Sequence, residues 1–262
     1  MHVRLFESLH IFWLFVGIAL MMLLFCEIGY QFGRYVFKRK DKDVPGPLGS
    51  MVGGLLGMLA FVLAFTFSIA SSQHETRRDN VLEEANIIGT AYLRADLLDE
   101  SSETIVKDLL KSYVDIRLDA ARGGDINEAL KESAAIHRQL WNAVSVYAIA
   151  NPSPLTSLMI QATNDLIDMH EKRVTGALRN RIPFSIWLAL AAITALAMIA
   201  LGTQVGYSAK RRLIAVIPLV LAFAVLVTLV IDLNRPQSGL ITVSQQSMVD
   251  LRSSMDGNKS DN

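Results

Sequence analysis

The fold is decided by residues Leu59–Asn86, which read LAFVLAFTFSIASSQHETRRDNVLEEAN. The first half of this stretch carries no charge, whereas the second half contains the charged run Glu75–Glu84, and neither glycine nor proline separates them. A helix that leaves a membrane and continues into water has this pattern, because a bilayer excludes charge but does not interrupt helical hydrogen bonding. The stretch therefore predicts one continuous helix that leaves a membrane near Ser72.

Four stretches of the chain have the length and apolarity that a membrane-spanning helix needs, about 20 residues. They form two pairs along the chain, Ile11–Phe32 with Leu48–Ser72 and Pro183–Tyr207 with Leu213–Leu233. The whole chain is 52% apolar, with a mean hydropathy of +0.35. We therefore expect an all-α, four-pass integral membrane protein, in the lipid bilayer of a bacterial inner (plasma) membrane.

The charge balance narrows the classes of partner. Lys plus Arg and Asp plus Glu both number 25, so no bulk positive charge suggests nucleic acid as a partner. The single Cys26 excludes an intrachain disulfide, and CxxC-type metal spacing is absent. We expect neither a metal nor another cofactor.

Residues 73–182, between the second and third membrane segments, read as four amphipathic helices. The first continues from the second membrane segment, and we expect its buried stripe to be Val81, Ala85, Ile88 and Tyr92. Asp125 is placed to cap the third helix, and Ser153 to cap the fourth. Four such helices predict a juxtamembrane bundle.

The domain organisation follows from these segments. Residues 1–72 hold the first membrane pair (11–32 and 48–72) and a basic loop, residues 73–182 the bundle, and residues 183–233 the second pair (183–207 and 213–233). Residues 234–262 form a polar tail that we expect to be partly ordered around Pro236–Gly239.

Signatures of catalysis are missing from the sequence. HExxH, GxSxG and GxxxxGK motifs do not occur. The pairs His74-Glu75 and His170-Glu171 lack the second histidine of a zinc helix, and a solvated helix face is the preferred interpretation of both. We expect that the protein is not an enzyme.

The second membrane segment carries two stripes at helical spacing. The small stripe, which suits close helix packing in lipid, consists of Gly53, Gly57, Ala60 and Ala64. The bulky stripe, which consists of Met58, Val62, Phe65 and Ile69, lies on nearly the opposite side, and Phe61 lies beside it. Bulky apolar rings can line a dry constriction that gates a pore, but such a stripe can equally face lipid or a neighbouring helix.

Three basic side chains follow where this helix emerges, His74, Arg77 and Arg78. In a symmetric oligomer they would form cationic rings that attract small anions. Alone, they would anchor the end of the helix among lipid headgroups.

The charges of the two short loops predict on which side of the membrane they lie. Residues 34–47 hold five cations and residues 208–212 hold three, and the positive-inside rule places both loops in the cytoplasm. The bundle would then lie on the opposite side of the membrane.

Two stretches resemble the bestrophin-like proteins, a family distantly similar to the bestrophin anion channels. They are residues 53–98 and residues 231–255, the second with an acidic-x-x-x-Pro-x-x-Gly core at Asp232, Pro236 and Gly239. Bestrophins are pentamers whose second membrane helix lines the pore and forms a hydrophobic neck. The resemblance implies that VLAF, Val62–Phe65, corresponds to that neck, and it makes the pore interpretation of the bulky stripe the favoured one.

The resemblance also has departures. Animal bestrophins clasp calcium with an acidic cluster after the fourth membrane helix, but here Asp232 is followed by Asn234 and Arg235, which leaves too few hard oxygen ligands. Bestrophins further keep both termini and the middle segment in the cytosol, the reverse of the basic-loop count.

These observations lead to one functional hypothesis and one alternative. The hypothesis is passive conduction of anions, chloride in particular, through a pore that the second membrane helix lines in a homo-oligomer, with the pentamer implied by the resemblance. The alternative is a membrane sensor or scaffold whose helical bundle binds a ligand or a partner protein.

Overall fold

A computed structural model describes residues 11–40, 47–176, 182–207, 213–235 and 239–257, and within these ranges the chain is helical without strands. In chain order the described helices are α1 Ile11–Lys40, α2 Leu48–Ala95, α3 Glu100–Ala121, α4 Ile126–Ala150, α5 Pro154–Val174, α6 Phe184–Gly206, α7 Leu213–Asn234 and α8 Gln246–Gly257. Four of them, α1, α2, α6 and α7, are long and apolar enough to cross a bilayer. The all-α class and the four candidate membrane passes are therefore confirmed.

Helix α2 runs for 48 residues without a break. The uncharged part of the opening stretch passes into the charged part inside this one helix, as the sequence predicts. The helix ends at Ala95, and backbone hydrogen bonds from Asp96, Leu97 and Leu98 close a turn.

The chain divides into two compact units. The membrane unit comprises Met1–His74 and Arg181–Thr242, and the polar unit comprises Glu75–Asn180 and Val243–Asn262. Each unit has an apolar core of its own.

In the membrane unit, α1 packs closely along α6 and also contacts α7. Glycines make the close α1–α6 approach possible: Gly29 and Gly33 on α1 face the backbone of Ile199 and Thr203, and Gly202 and Gly206 on α6 face the backbone of α1. Small residues let helix backbones approach in lipid, where there is little hydrophobic force between helices. The sequence interpretation placed this kind of packing on α2 and missed the pair that uses it.

In the polar unit, helices α3, α4, α5 and α8 and the charged half of α2 surround one core. The stripe expected on α2 is buried, with Ile88 fully so. Asp125 accepts from the backbone N–H groups of Asn127 and Glu128 at the start of α4. Ser153 and Thr156 form a capping box at the start of α5, so both predicted caps are confirmed.

The tail contributes to both units. Residues 239–242 belong to the membrane unit and residues 243–257 to the polar unit. Helix α8 is held in the polar unit by the bidentate pair of Arg252 with Asp115, at 2.7 and 3.3 Å, and its Met248 and Met255 are buried in the core. Of the tail's predicted ordered corner, Pro236 lies outside the described residues.

Candidate functional site

The uncharged half of α2 buries one narrow face inside the membrane unit. Leu59, Leu63, Thr66 and Ala70 are each at most 3% exposed, and their spacing of four, three and four residues keeps them on one side of a helix. The Thr66 hydroxyl donates to the carbonyl of Val62 at 2.7 Å, so this buried polar group is satisfied within its own helix.

The opposite face of α2 is open and carries two aromatic side chains. Phe61 is 73% exposed and Phe65 is 59% exposed. Phe61 follows Leu59 by two residues, about 200° around the helix, so it points away from the buried face. Val62 and Ile69 are half-buried and pack against apolar clusters of the same unit. Of the four residues predicted to line the constriction, Phe61 and Phe65 are therefore the two that a single chain leaves exposed.

The predicted helix-packing residues of α2 lie on the same open side. Gly53, Gly57, Ala60 and Ala64 are exposed, and a Cβ added to either glycine meets no atom within 4 Å. These residues pack no helix of this chain among the described residues. Their role in packing against another copy stays a prediction.

The three basic residues that follow differ in exposure. His74 is half-buried and Arg78 is exposed. Arg77 is only 5% exposed, and its Nε donates to the carbonyl of Gly176 at 3.5 Å. Within one chain, Arg78 is thus the guanidinium best placed to meet a dissolved anion.

Asp232 and Gly239 of the acidic-x-x-x-Pro-x-x-Gly core form a clasp at the end of α7, together with the backbone of residues 240 and 241. Asp232 is 2% exposed, and its carboxylate accepts from the backbone N–H of Leu240 at 3.1 and 3.2 Å and of Ile241 at 3.0 Å. Gly239 has a φ of +151°, and a Cβ there would collide with the Asp232 carboxylate. The glycine of this motif therefore allows a close approach to the Asp232 carboxylate that a side chain would block.

The clasp also supports α2. Ile241 packs against a small cluster that contains Ala70 of α2 and Leu233 of α7. Since Asp232 holds the backbone of Ile241, the turn fixes an apolar contact beside the last uncharged turns of α2.

Polar side chains also meet inside the polar unit. Glu84 of α2 is fully buried, and its carboxylate accepts from the Tyr113 hydroxyl at 2.6 Å and pairs with Arg173. The Nε of Arg117 lies 3.5 Å from the same carboxylate. The other guanidinium nitrogen of Arg173 donates to the Gln245 side chain at 2.9 Å.

The hydrogen bonds of Tyr113 fix the tautomer of His170. The hydroxyl has one proton, which goes to the Glu84 carboxylate, so the contact of 3.0 Å between its oxygen and His170 Nδ1 requires a proton on Nδ1. Burial and the nearby charge of Arg117 lower the pKa of His137 to about 4. Burial, with His137 and Arg117 adding to it, lowers the pKa of His170 to about 3. Both imidazoles are neutral near pH 7.

The interpretation of His170 as part of a solvated helix face is therefore wrong. The residue is 4% exposed because it follows Leu166 by four residues on the buried stripe of α5. The same periodicity places Glu84 next to Ala85 on the buried stripe of α2. A polar residue in register with an apolar stripe was the signal that could have located this cluster.

No three His, Cys, Asp or Glu side chains within the described ranges are arranged to hold a metal ion. The family model that matches the chain is described as "Bestrophin-like domain", and the match covers residues 14–248. No curated protein and no solved structure matches the chain.

Proposed function

The chain belongs to the bestrophin-like family, and from that premise we propose that it forms a passive channel for small anions, chloride in particular. Several copies would assemble around a shared axis, with the open face of α2 toward the pore. Residues 73–182 would then form a juxtamembrane helical bundle at one end of the pore. The protein would act without a cofactor and without catalysis.

The exposure of Phe61 and Phe65 is the observation that carries this proposal. Two large aromatic side chains, one helical turn apart, occupy the side of α2 that its own chain leaves uncovered. In a ring of copies they would form two adjacent apolar constrictions, and a narrow apolar constriction controls conduction by dewetting.

The small residues beside them support an assembly of α2 helices. Gly53 and Gly57 border the aromatic pair on the open face, with free space where a Cβ would be. Glycines at this spacing allow a neighbouring helix to approach closely in lipid. A second copy is the simplest partner that brings the same face to a symmetric axis.

The selectivity for anions would come from positive charge near the pore. Arg78 is exposed and follows the aromatic pair on the same helix, and a ring of guanidinium groups favours anions. The bacterial inner membrane and the cytoplasmic placement of loops 34–47 and 208–212 remain part of the proposal. Residues 41–46 and 208–212 lie outside the described ranges.

Chloride flux from liposomes tests the channel directly. The purified protein is reconstituted, and efflux is followed with a chloride electrode for the wild type and for Phe61→Ala and Phe65→Ala. We expect faster efflux from both variants, since the smaller side chain widens the apolar ring and lowers the dewetting barrier. Phe32→Ala is the matched control, because Phe32 on α1 is as exposed as Phe65, 59% in each case. No efflux from the wild type, or unchanged efflux from both α2 variants, would refute the pore.

A groove in the polar unit supports the second candidate function, a membrane sensor or scaffold. It has a volume of about 600 Å³ and lies between α3 and α4, with Ile105, Leu109, Val146 and Tyr147 in its lining. Apolar grooves with a few polar groups are the usual sites for small ligands. The mass of the purified protein in detergent separates the two functions, since a stable monomer cannot form the proposed pore.

A further inference from the structure

Two arginines of the polar unit share a single carboxylate. The side chains of Arg117 and Arg173 are each 11% exposed, and Glu84 is the acidic partner of both. Arg173 remains protonated although burial lowers its pKa to about 10. Two guanidinium charges against one carboxylate leave this buried cluster with an excess of one positive charge, which is costly unless an anion compensates it.

The uncompensated positive charge is concentrated on Arg117. Each oxygen of the Glu84 carboxylate already accepts one hydrogen bond, Oε1 from the Tyr113 hydroxyl and Oε2 from Arg173. Arg117 approaches the carboxylate only at 3.5 Å, and its buried Nε finds no hydrogen-bond partner among the described residues. A guanidinium has five N–H donors, so this group is poorly satisfied by the protein alone.

Two further buried groups without partners lie on the helix beside Arg117. Ser133 is fully buried and His137 is 7% exposed, and within the described ranges neither Ser133 Oγ nor His137 Nε2 has a hydrogen-bond partner. Buried polar atoms are almost always hydrogen-bonded in proteins. Two such atoms one turn apart, on one face of α4, form a polar pair that no side chain or backbone group within the described ranges satisfies.

The helix register brings these three residues together. The rings of Tyr113 and His137 are 5.0 Å apart, which fixes the level at which α3 and α4 meet. The two helices are joined by the short turn 122–125 and run antiparallel. One helical turn after Tyr113 on α3 is Arg117, and one helical turn before His137 on α4 is Ser133. These two residues therefore lie at the same height along the helix pair.

We propose that Arg117, Ser133 and His137 form a binding site for a small monovalent anion such as chloride. The anion receives hydrogen bonds from the guanidinium, the Ser133 hydroxyl and the Nε2–H of His137, and its charge neutralises the excess of the two arginines. This site is separate from the pore face of α2, and it would exist in each copy even if the protein conducted nothing.

The charges exclude the other simple occupants. A metal cation would add to the positive excess, and no group of three suitable ligands occurs in the described part of the chain. A water molecule would satisfy the hydroxyl and the imidazole but would leave the excess charge in place. A small anion satisfies both requirements.

Thermal unfolding of the purified protein in detergent tests the site without any flux measurement. Unfolding is followed in sodium chloride and in sodium gluconate at equal ionic strength. A ligand that binds the folded state raises the melting temperature in proportion to the logarithm of its concentration, and at ten times its dissociation constant we expect a rise of about 3–5 °C. The wild type should show this rise in chloride and not in gluconate.

Variants test whether the chloride-dependent rise in melting temperature comes from this anion site. Ser133→Ala and His137→Gln should each lose most of the chloride-dependent rise, whereas Arg138→Gln, an exposed arginine of the same helix, should keep it. Ser133→Ala also distinguishes an occupied site from an empty one. If an anion binds, the variant is less stable than the wild type in chloride only. If nothing binds, the substitution removes an unsatisfied hydroxyl, and a variant at least as stable as the wild type in both salts overturns the proposal.

Diffraction from crystals grown in bromide locates the anion. An anomalous peak within hydrogen-bond distance of Arg117 and Ser133 supports the site, and its absence at saturating bromide contradicts it. The outcome is independent of the channel proposal: Phe61→Ala should change efflux and keep the chloride-dependent melting shift, whereas Ser133→Ala should lose the shift and still form the pore.

Discussion

Replacing Gly202 by alanine should destabilise the membrane unit, because the added methyl group has no room between α6 and α1. A Cβ at this position would lie 2.8 Å from the carbonyl carbon of Cys26 and 2.9 Å from the backbone nitrogen of Tyr30, and closer still to the Cys26 oxygen. Ordinary contact begins at 3.4 Å, so the two helices must move apart by at least about 0.6 Å. All three neighbours are backbone atoms, which no side-chain rotation can move.

The size of the effect follows from two opposing terms. Overpacking a close-packed interface costs about 1–3 kcal/mol, and a clash with backbone belongs at the upper end. Alanine in place of glycine recovers about 0.5–1 kcal/mol of helix propensity. The net loss should be about 2 kcal/mol, or about 4–8 °C in melting temperature for a chain of this length.

Melting in detergent, followed by the fluorescence of the tryptophans, measures this loss. Gly17→Ala is the matched control: it is the same substitution on α1, at a glycine with no atom within 4 Å of the added Cβ, and it should leave the melting temperature unchanged or slightly raised. The close α1–α6 packing is wrong if Gly202→Ala melts at the temperature of Gly17→Ala.

Three further predictions concern the clasp and the buried polar cluster. Asp232→Ala should lower the free energy of unfolding by about 2–3 kcal/mol, since it leaves two backbone N–H groups without an acceptor; Asp232→Asn, which keeps one oxygen, should lose less in the same melting assay. Tyr113→Phe should cost about 1.5–3 kcal/mol, because it removes a buried hydrogen bond to the Glu84 carboxylate, and a melting temperature equal to that of the wild type would contradict this bond. The lowered pKa values of His137 and His170 mean that the unfolded chain binds more protons below about pH 6.5, so stability should be full above that pH and decline from about 6.5 towards 4. The double variant His137→Gln and His170→Gln should show a flatter melting profile between pH 7 and 5, and an unchanged slope would rule out the two imidazoles as its cause.

The helices were predictable because local and long-range signals agree along this chain. The uncharged run before Ser72 and the charged run after it share one helical period, so a single continuous helix follows from spacing alone; in the structure it spans Leu48–Ala95. The caps at Asp125 and Ser153 use side chains whose chemistry acts within three residues. Such features need no knowledge of the tertiary structure.

The contacts between helices were not predictable in the same way. Gly53 and Gly57 on α2 resemble a packing surface as much as Gly29 and Gly33 on α1 do, since both pairs have the same i,i+4 spacing. Only the tertiary structure shows that the α1 pair meets another backbone within the chain. Sequence periodicity identifies a face and leaves open what covers it.

The buried polar cluster escaped prediction for a different reason. Each member is a common surface residue, and the chemistry that permits burial is supplied by another helix: Glu84 depends on Tyr113 of α3 and Arg173 of α5. A carboxylate without such partners would stay in water. The pairing is set by the register of three helices, which no single stretch of sequence encodes.

The three small-residue faces of the membrane helices can be compared as one set. Gly29 and Gly33 of α1 are used against Gly202 and Gly206 of α6 inside the chain, and each of these four would reject even a methyl group. The small face of α2 has the same composition but an open surface, with Phe61 and Phe65 beside it. Because small residues in lipid stabilise a structure only where another backbone approaches them, a second copy on the open face of α2 would add the kind of contact that α1 and α6 already make within one chain.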